Sequence, residues 1–400
     1  MIAALALALQ IPALTVAKGE VDLTPPEPLA LGGYTARQGK LFEPGGEPLL
    51  ARCLVFSMGK MRLALVSVEM LTVPESLQRE VAKRLPSDVA LFLVATHTHC
   101  APDSQMLNDR MTFALPGIAS FREKWLGWYA DKIATAVTTA KPWAKIDRIW
   151  TEERRIDANR GRRKFAEPDT TATKVVGFGS QAYPLIFNYA AHATVYGSEE
   201  LHTRPDWPGM VRGWGLFLPG AIGDVSPKAD GPTVKDKLED MRSRLYARVP
   251  YFESTVYAGK QRSFAYVETP IALGAVKAHP DFAKSNRIPD SLAQNLVGRF
   301  APKEAHITSF RFGKLVVVGV PGEPTSELGR RIRDAGRRMG FAPVLVVSHV
   351  NGWMGYILAP EDYDRGGYEA TLSFYGREEG NRVVDAAIES MKALATSKDR

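Results

Sequence analysis

The hydrophobic positions fall into short unbroken runs that end at polar residues, and into longer segments where they recur every three or four residues. The sharpest run is 89–95, VALFLVA, the pattern of a strand buried on both faces of a sheet. It stops in Thr96-His97-Thr98-His99, and Pro102 bars simple continuation. Upstream, runs at 49–57 and 62–71 flank Met58-Gly59-Lys60-Met61, which predicts a hairpin. Pro74 then opens a helix over 75–85, as proline does at a first helical position. Strand, helix and strand in this spacing predict a parallel crossover, with His97 at the carboxyl end of its second strand.

Residues 14–23 alternate enough for a strand, closed by Thr24-Pro25-Pro26. Phe121, Trp125, Tyr129, Ile133 and Val137 recur at i+4 and predict an amphipathic helix ended by Pro142. Strands are expected at 148–156, 174–179 and 184–191, the last (PLIFNYAA) running straight into His192. A charged helix is expected over 234–249, one or two strands within 255–273, and irregular polar chain over 276–303. A second hairpin, 306–312 with 315–320, leads to the turn Pro321-Gly322-Glu323 and a helix over 325–339. A buried strand over 343–350 and a last helix over 377–394 follow. Strands alternating with helices predict an α/β fold of layered mixed β-sheets flanked by helices.

Composition narrows the class without naming a reaction. The chain has 400 residues, 45% of them apolar, enough for a large core, and it shows no internal repeat. Its formal charge of +7 is spread over 51 basic and 44 acidic residues, which favours anionic surfaces slightly and does not point to nucleic acid. Arg330, Arg331, Arg333, Arg337 and Arg338 lie at helical spacing and read as a solvated helix face. Cys53 and Cys100 make no disulfide framework, and Cys100 reads as a small half-buried residue. No run reaches the ~18 apolar residues of a membrane-spanning helix. The opening MIAALALALQ is signal-like but lacks a basic start. The reading is therefore a signal-like segment over 1–13, one domain over 14–400, and a secreted or periplasmic location, with the cytoplasm as the alternative.

Candidate chemistry gathers at strand ends. His97 and His99, two apart on an extended segment, point the same way and suit a metal ion or proton transfer, while a hydrogen-bonded pair stays open. His192, Glu323 and Tyr356 each follow an apolar strand in the same manner. In layered α/β folds sites form outside the carboxyl ends of strands, so residues distant in sequence can meet there. Two imidazoles, a carboxylate and a water make an open zinc shell suited to hydrolysis. A tyrosine oxygen is a rarer addition, and turn residues with ordinary hydrogen bonds are the alternative.

The motifs VDLTPP (21–26), ATHTHCAP (95–102), NR (159–160), NYAAHATVYG (188–197), DWPG (206–209), GAIGDVSP (220–227), PGEPTSELGRRIR (321–333) and NGWMGYILAPEDYDRGGYEA (351–370) run through nearly the whole chain. In this order they resemble the neutral/alkaline ceramidase family, in its catalytic N-terminal domain. The resemblance implies a zinc-dependent amidase whose metal is held by His97, His192, Glu323 and Tyr356. It also implies His99 beside the metal, Arg160 as a substrate-contacting arginine, and Ser226 near the site as nucleophile or substrate contact. Asp206 is implied as a partner that orients a ligand imidazole.

The sequence departs from the family in places. Cys100 stands where a serine is usual, Trp353, Met354 and Gly355 replace more polar residues, and no C-terminal immunoglobulin-like domain is expected. The segment 206–220 reads as too short for the helix and strand usual there, which predicts a more open pocket. The expected activity is hydrolysis of an N-acyl amide, ceramide-like or smaller, by metal-activated water, with His99 supplying the leaving amine's proton. Apolar side chains such as Trp353, Met354 and Phe374 are candidates for an acyl channel, with core packing as the other use. The expected partner is a small-molecule or lipid amide, with peripheral membrane contact, no transmembrane segment and no nucleic acid. The alternatives are a zinc hydrolase acting on a non-lipid amide and a catalytically inactive metal-containing binding protein.

Overall fold

The structure, a computed structural model, describes residues 13–164, 166–247 and 263–397, and the backbone of 255–260. The signal-like segment over 1–13 lies, but for its last residue, outside the described residues. Three sheets carry the fold. The first runs in the order Val89–Ala95, Met61–Val68, Leu50–Met58, Leu14–Asp22, Lys141–Ile146. The second runs Leu216–Pro219, Ala182–Tyr189, Thr171–Phe178, Arg148–Arg155, Thr255–Lys260. The third runs Phe264–Pro270, His306–Phe312, Leu315–Gly319, Val344–Val347.

Each sheet mixes antiparallel pairs with a parallel one, and those parallel pairs prepare the site. Met61–Val68 and Val89–Ala95 are parallel and joined by the helix Glu75–Arg84, the crossover expected from the sequence. Ala182–Tyr189 pairs in parallel with Leu216–Pro219, and Leu315–Gly319 with Val344–Val347. Bridges from Val94 to Val350 and from Thr98 to Ala193 tie the strand ends of the three sheets together.

Alternation along the strands explains the layering. In the first sheet Val55, Ala64, Val66, Leu91 and Leu93 face a core shared with the helices Glu75–Arg84 and Glu123–Thr138. Their neighbours Leu54, Phe56, Leu65, Phe92 and Val94 face the opposite way, into a core shared with the other two sheets. In the third sheet Phe310, Phe312 and Val317 enter that same central core, while Val316 and Val318 pack under the helices Ser326–Arg338 and Glu379–Thr396. The result is two outer helical layers around packed sheets, with both sheet faces dry. No helix among the described residues is long and apolar enough to cross a membrane.

Two expectations need correction. Residues 276–303, expected to be irregular, hold the helices Pro280–Asn286 and Asp290–Phe300. Their starts are marked by proline at the first turn or at the cap, but their apolar faces are narrow, with Ala283, Ala293 and Val297 buried. Periodicity over so few residues is weak. Residues 206–220 are not too short: they form the 3₁₀ segment Trp207–Trp214 and the strand Leu216–Pro219. A 3₁₀ turn rises about 2.0 Å per residue against 1.5 Å in an α-helix, so fewer residues cross the same distance. Trp207 and Val211 are fully buried in this segment.

Candidate metal centre

The candidate site is built where the strands run out. After Val89–Ala95 the chain is caught by Thr96 N–H on Val68 O and His97 N–H on Met70 O, at 2.9 and 3.0 Å. His97 adopts φ 66°, a left-handed conformation that costs a non-glycine residue about 1–3 kcal/mol and that surrounding structure must impose. Asp206 and His349 also have positive φ, at 57° and 58°, so backbone strain collects around this one place.

His97 is 3% exposed, and its Nδ1–H donates to Leu71 O at 2.7 Å. His192 is 2% exposed, and its Nδ1–H donates to Val225 O at 2.8 Å. A carbonyl on Nδ1 fixes the tautomer and leaves the Nε2 lone pair facing the cluster. Glu323 answers them: its Oε2 lies 3.3 Å from His192 Nε2 and 3.6 Å from His97 Nε2. Glu323 and Tyr356 are register partners in the short parallel ribbon Glu323–Pro324 with Tyr356–Ile357, which sets the two side chains next to each other. The Gly355 before Tyr356 has φ 90°, and a Cβ there would stand 2.1 Å from Leu372 O, so only glycine fits the turn.

The protonation states suit a cation. Burial pushes the His97 pKa well down, with the neighbouring His349 ring acting in the same direction, so the ring is neutral. Burial works against the Glu323 carboxylate, and only positive charge in the cluster, on the surrounding rings or on a bound cation, holds its pKa well below the ordinary value. Burial and the Glu323 charge raise Tyr356 well above the usual phenol range. Glu323 Oε2 is buried without a hydrogen-bond partner, a costly state for a charged oxygen. Metal–ligand bonds of about 2.0–2.1 Å in a tetrahedral shell separate the donor atoms by roughly 3.3 Å. His97, His192 and Glu323 thus fit a metal ion with little movement.

His99 stands at the edge, its Nε2 3.2 Å from His97 Nε2. Burial, then the His192 ring, bring its pKa down to about 3, so it is a neutral imidazole. A Cβ on Gly33 would lie 2.4 Å from His99 Nδ1, and this close approach needs glycine. The buried Arg37 holds the same turn, donating to the carbonyls of Gly32 and His99.

Other residues singled out from the sequence are placed differently. Arg160 lies on the strand Asn159–Gly161 with an exposed side chain. The arginine that reaches the cluster is Arg162, whose Nη1 is 3.3 Å from both His192 Nε2 and Tyr356 Oη. Ser226 pairs with Arg160 by backbone and is half-buried. Asp206 touches no imidazole; its carboxylate accepts from the N–H groups of Val195, Tyr196 and Trp207. Trp207 in turn donates its indole N–H to His192 O at 2.9 Å, so Asp206 braces the loop behind the ligand. Burial raises the Asp206 pKa to about 6. Cys100 is fully buried, and burial pushes its thiol up to about 12, away from ligand chemistry. Met354 and Phe374 are fully buried core residues.

Sequence reasoning missed His349, Arg162 and the use made of Trp353. His349 follows the strand Val344–Val347 and so obeys the same strand-end pattern as the other candidates. Its signal is present in PVLVVSHV, directly ahead of the motif that begins at Asn351.

Comparison with known proteins agrees with this picture. The profile of the neutral/alkaline non-lysosomal ceramidase N-terminal region matches residues 289–385, a span that includes Glu323, His349 and Tyr356. A neutral ceramidase of Mycobacterium tuberculosis is 29% identical over 103 residues, 25% of this chain and 16% of the relative. Neutral ceramidase 2 of Arabidopsis thaliana is 32% identical over 108 residues, 24% of this chain and 14% of the relative. These matches therefore span well under two thirds of the relatives' own length. The crystal structure of neutral ceramidase from Pseudomonas aeruginosa superposes with a TM-score of 0.78 at 17% identity, over 96% of this chain and 75% of that one. At that identity the superposition speaks for the fold, and the fold is the same.

Proposed function

We propose, from the premise that the chain belongs to the neutral/alkaline non-lysosomal ceramidase family, that it is a zinc-dependent hydrolase of an N-acyl amide, ceramide or a smaller analogue. The observation that carries this reading is the unpartnered, buried Glu323 Oε2 lying 3.3 and 3.6 Å from the Nε2 atoms of His192 and His97. Tyr356, beside Glu323 in the ribbon, is the further ligand. Zinc in such a shell supplies Lewis acidity, polarising a carbonyl and lowering the pKa of water from ~15.7 towards ~7.

The chain's own residues do the rest. His97 and His192 present lone pairs already aimed by the Leu71 and Val225 carbonyls. His99, a neutral ring at the edge of the cluster, takes the proton that the attacking water gives up and passes it to the leaving amine. Arg162 brings a fixed positive charge to the same side, and we assign it an oxyanion role, whereas the family resemblance gives Arg160 a substrate contact. Ser226 has no side-chain hydrogen bond to a base among the described residues, which favours a substrate contact over a nucleophile. Tyr368, 56% exposed with its ring 5.9 Å from that of Tyr356, offers an apolar surface beside the cluster that suits an acyl chain.

The test is metal analysis of the purified chain beside hydrolysis of N-acyl amides ranging from acetyl to long-chain ceramide. One zinc per chain and chelator-sensitive hydrolysis are expected. Stoichiometric zinc with no hydrolysis of any member makes the inactive binding protein the better reading, and no bound ion removes both.

A further inference from the structure

The Glu323 carboxylate has two oxygens in different surroundings. Oε2 faces His97 and His192 and has no hydrogen-bond partner. Oε1 accepts the indole N–H of Trp353 at 3.2 Å and lies 3.9 Å from His349 Nε2. His349 is 0% exposed, and neither of its ring nitrogens has a hydrogen-bond partner. An imidazole in that state costs about 1–3 kcal/mol for each unmet group, so the arrangement calls for a compensating interaction.

Being a metal ligand beside His97 is the obvious compensation, because the nitrogens of His97 and His349 and an oxygen of Glu323 lie within 4.8 Å of one another. The ring geometry opposes it. His97 and His349 are stacked, with centroids 4.1 Å apart and planes 18° from parallel. A metal bonds an imidazole nitrogen along its lone pair, close to the ring plane, and two nearly parallel planes this far apart hold no common point near both nitrogens. A second ion on His349 alone would sit on Glu323 Oε1, against the Trp353 N–H that already occupies it.

We propose that His349 and Trp353 are positioning residues that hold Glu323 Oε1 with two N–H donors and so restrict the carboxylate to one-oxygen ligation through Oε2. His349 reaches Oε1 when the carboxylate moves to bind the ion, and its face fixes the plane of the His97 ring at the same time. A second-layer group of this kind is worth about 10–100-fold in metal affinity. The inference rests on the metal centre proposed above, and its test separates the two.

The experiment compares His349→Phe, which keeps the stack and removes the N–H, with Trp353→Phe and the double variant. It reads metal affinity by chelator competition, metal stoichiometry, thermal stability without metal, and the visible spectrum of the Co²⁺ form. Each single variant is expected to bind metal about 10–100-fold more weakly. Metal-free His349→Phe should melt no lower than the wild type, because it removes two unmet buried polar atoms; a merely structural role would lower it. In the double variant Oε1 is released to the ion, and the Co²⁺ bands should weaken as coordination number rises. Where Trp353→Phe unfolds, His349→Phe carries the test alone. Unchanged affinity and spectrum in the folded variants would overturn the proposal. So would two ions in the wild type with one lost in His349→Phe, which would make His349 a ligand. A wild-type chain that binds no ion would overturn the metal centre itself.

Discussion

The two candidate imidazole ligands and the carboxylate are held in different ways. His97 and His192 are each oriented by a main-chain carbonyl, Leu71 O in the turn after the strand Met61–Val68 and Val225 O at the start of the short strand Val225–Pro227. Glu323 is oriented by side chains, Trp353 and His349, that come from a different strand end. A carbonyl cannot be substituted without changing the fold, so the imidazoles are fixed by architecture. The carboxylate is fixed by side chains, which a point substitution can change without altering the fold. Tuning of this centre therefore acts on the carboxylate side.

The largest expected effect breaks the imidazole side. His97→Ala should lose zinc and activity together, whereas His99→Ala should keep near-stoichiometric zinc while kcat falls by roughly 10²–10⁴-fold. Zinc content measured beside kcat decides it, and the reverse pattern would exchange the two roles.

A smaller effect separates the arginines. Arg162→Ala should lower kcat by roughly 10²-fold with zinc retained, since it removes a charge 3.3 Å from Tyr356 and His192. Arg160→Ala, at an exposed position, should change kcat little. Equal losses in both would show that Arg160 also contacts the substrate during turnover.

The smallest effect lies away from the centre, at the start of the last helix. Glu379 is 2% exposed, and burial raises its pKa to about 8, although Ser373 Oγ and Tyr375 N–H donate to it. Its folded pKa lies above the unfolded value of 4.5, so the folded state binds the extra proton between the two. Stability should fall as pH rises from about 4.5 to about 8, and level off above. Glu379→Gln should flatten that slope in denaturant melts from pH 5 to 9. A Glu379→Gln slope equal to the wild type's would show that Glu379 does not titrate in this range.

Local pattern alone determined such strands, because a run buried on both faces must be apolar throughout: Val89–Ala95 begins and ends where the hydrophobic run does, and Leu315–Gly319 begins with its own. It also determined that polar residues at the ends of those runs are candidates for chemistry, which is enough to single out His97, His192 and Glu323. Tertiary structure decided what they meet. The parallel register of Glu323 with Tyr356, and the bridges from Thr98 to Ala193 and Val94 to Val350, join segments up to 256 residues apart, and no local period encodes such pairings. His349 shows the limit most plainly. Its place after a strand is readable in the sequence, but its stacking on His97 and its two unmet nitrogens exist only because the first and third sheets pack against one central core.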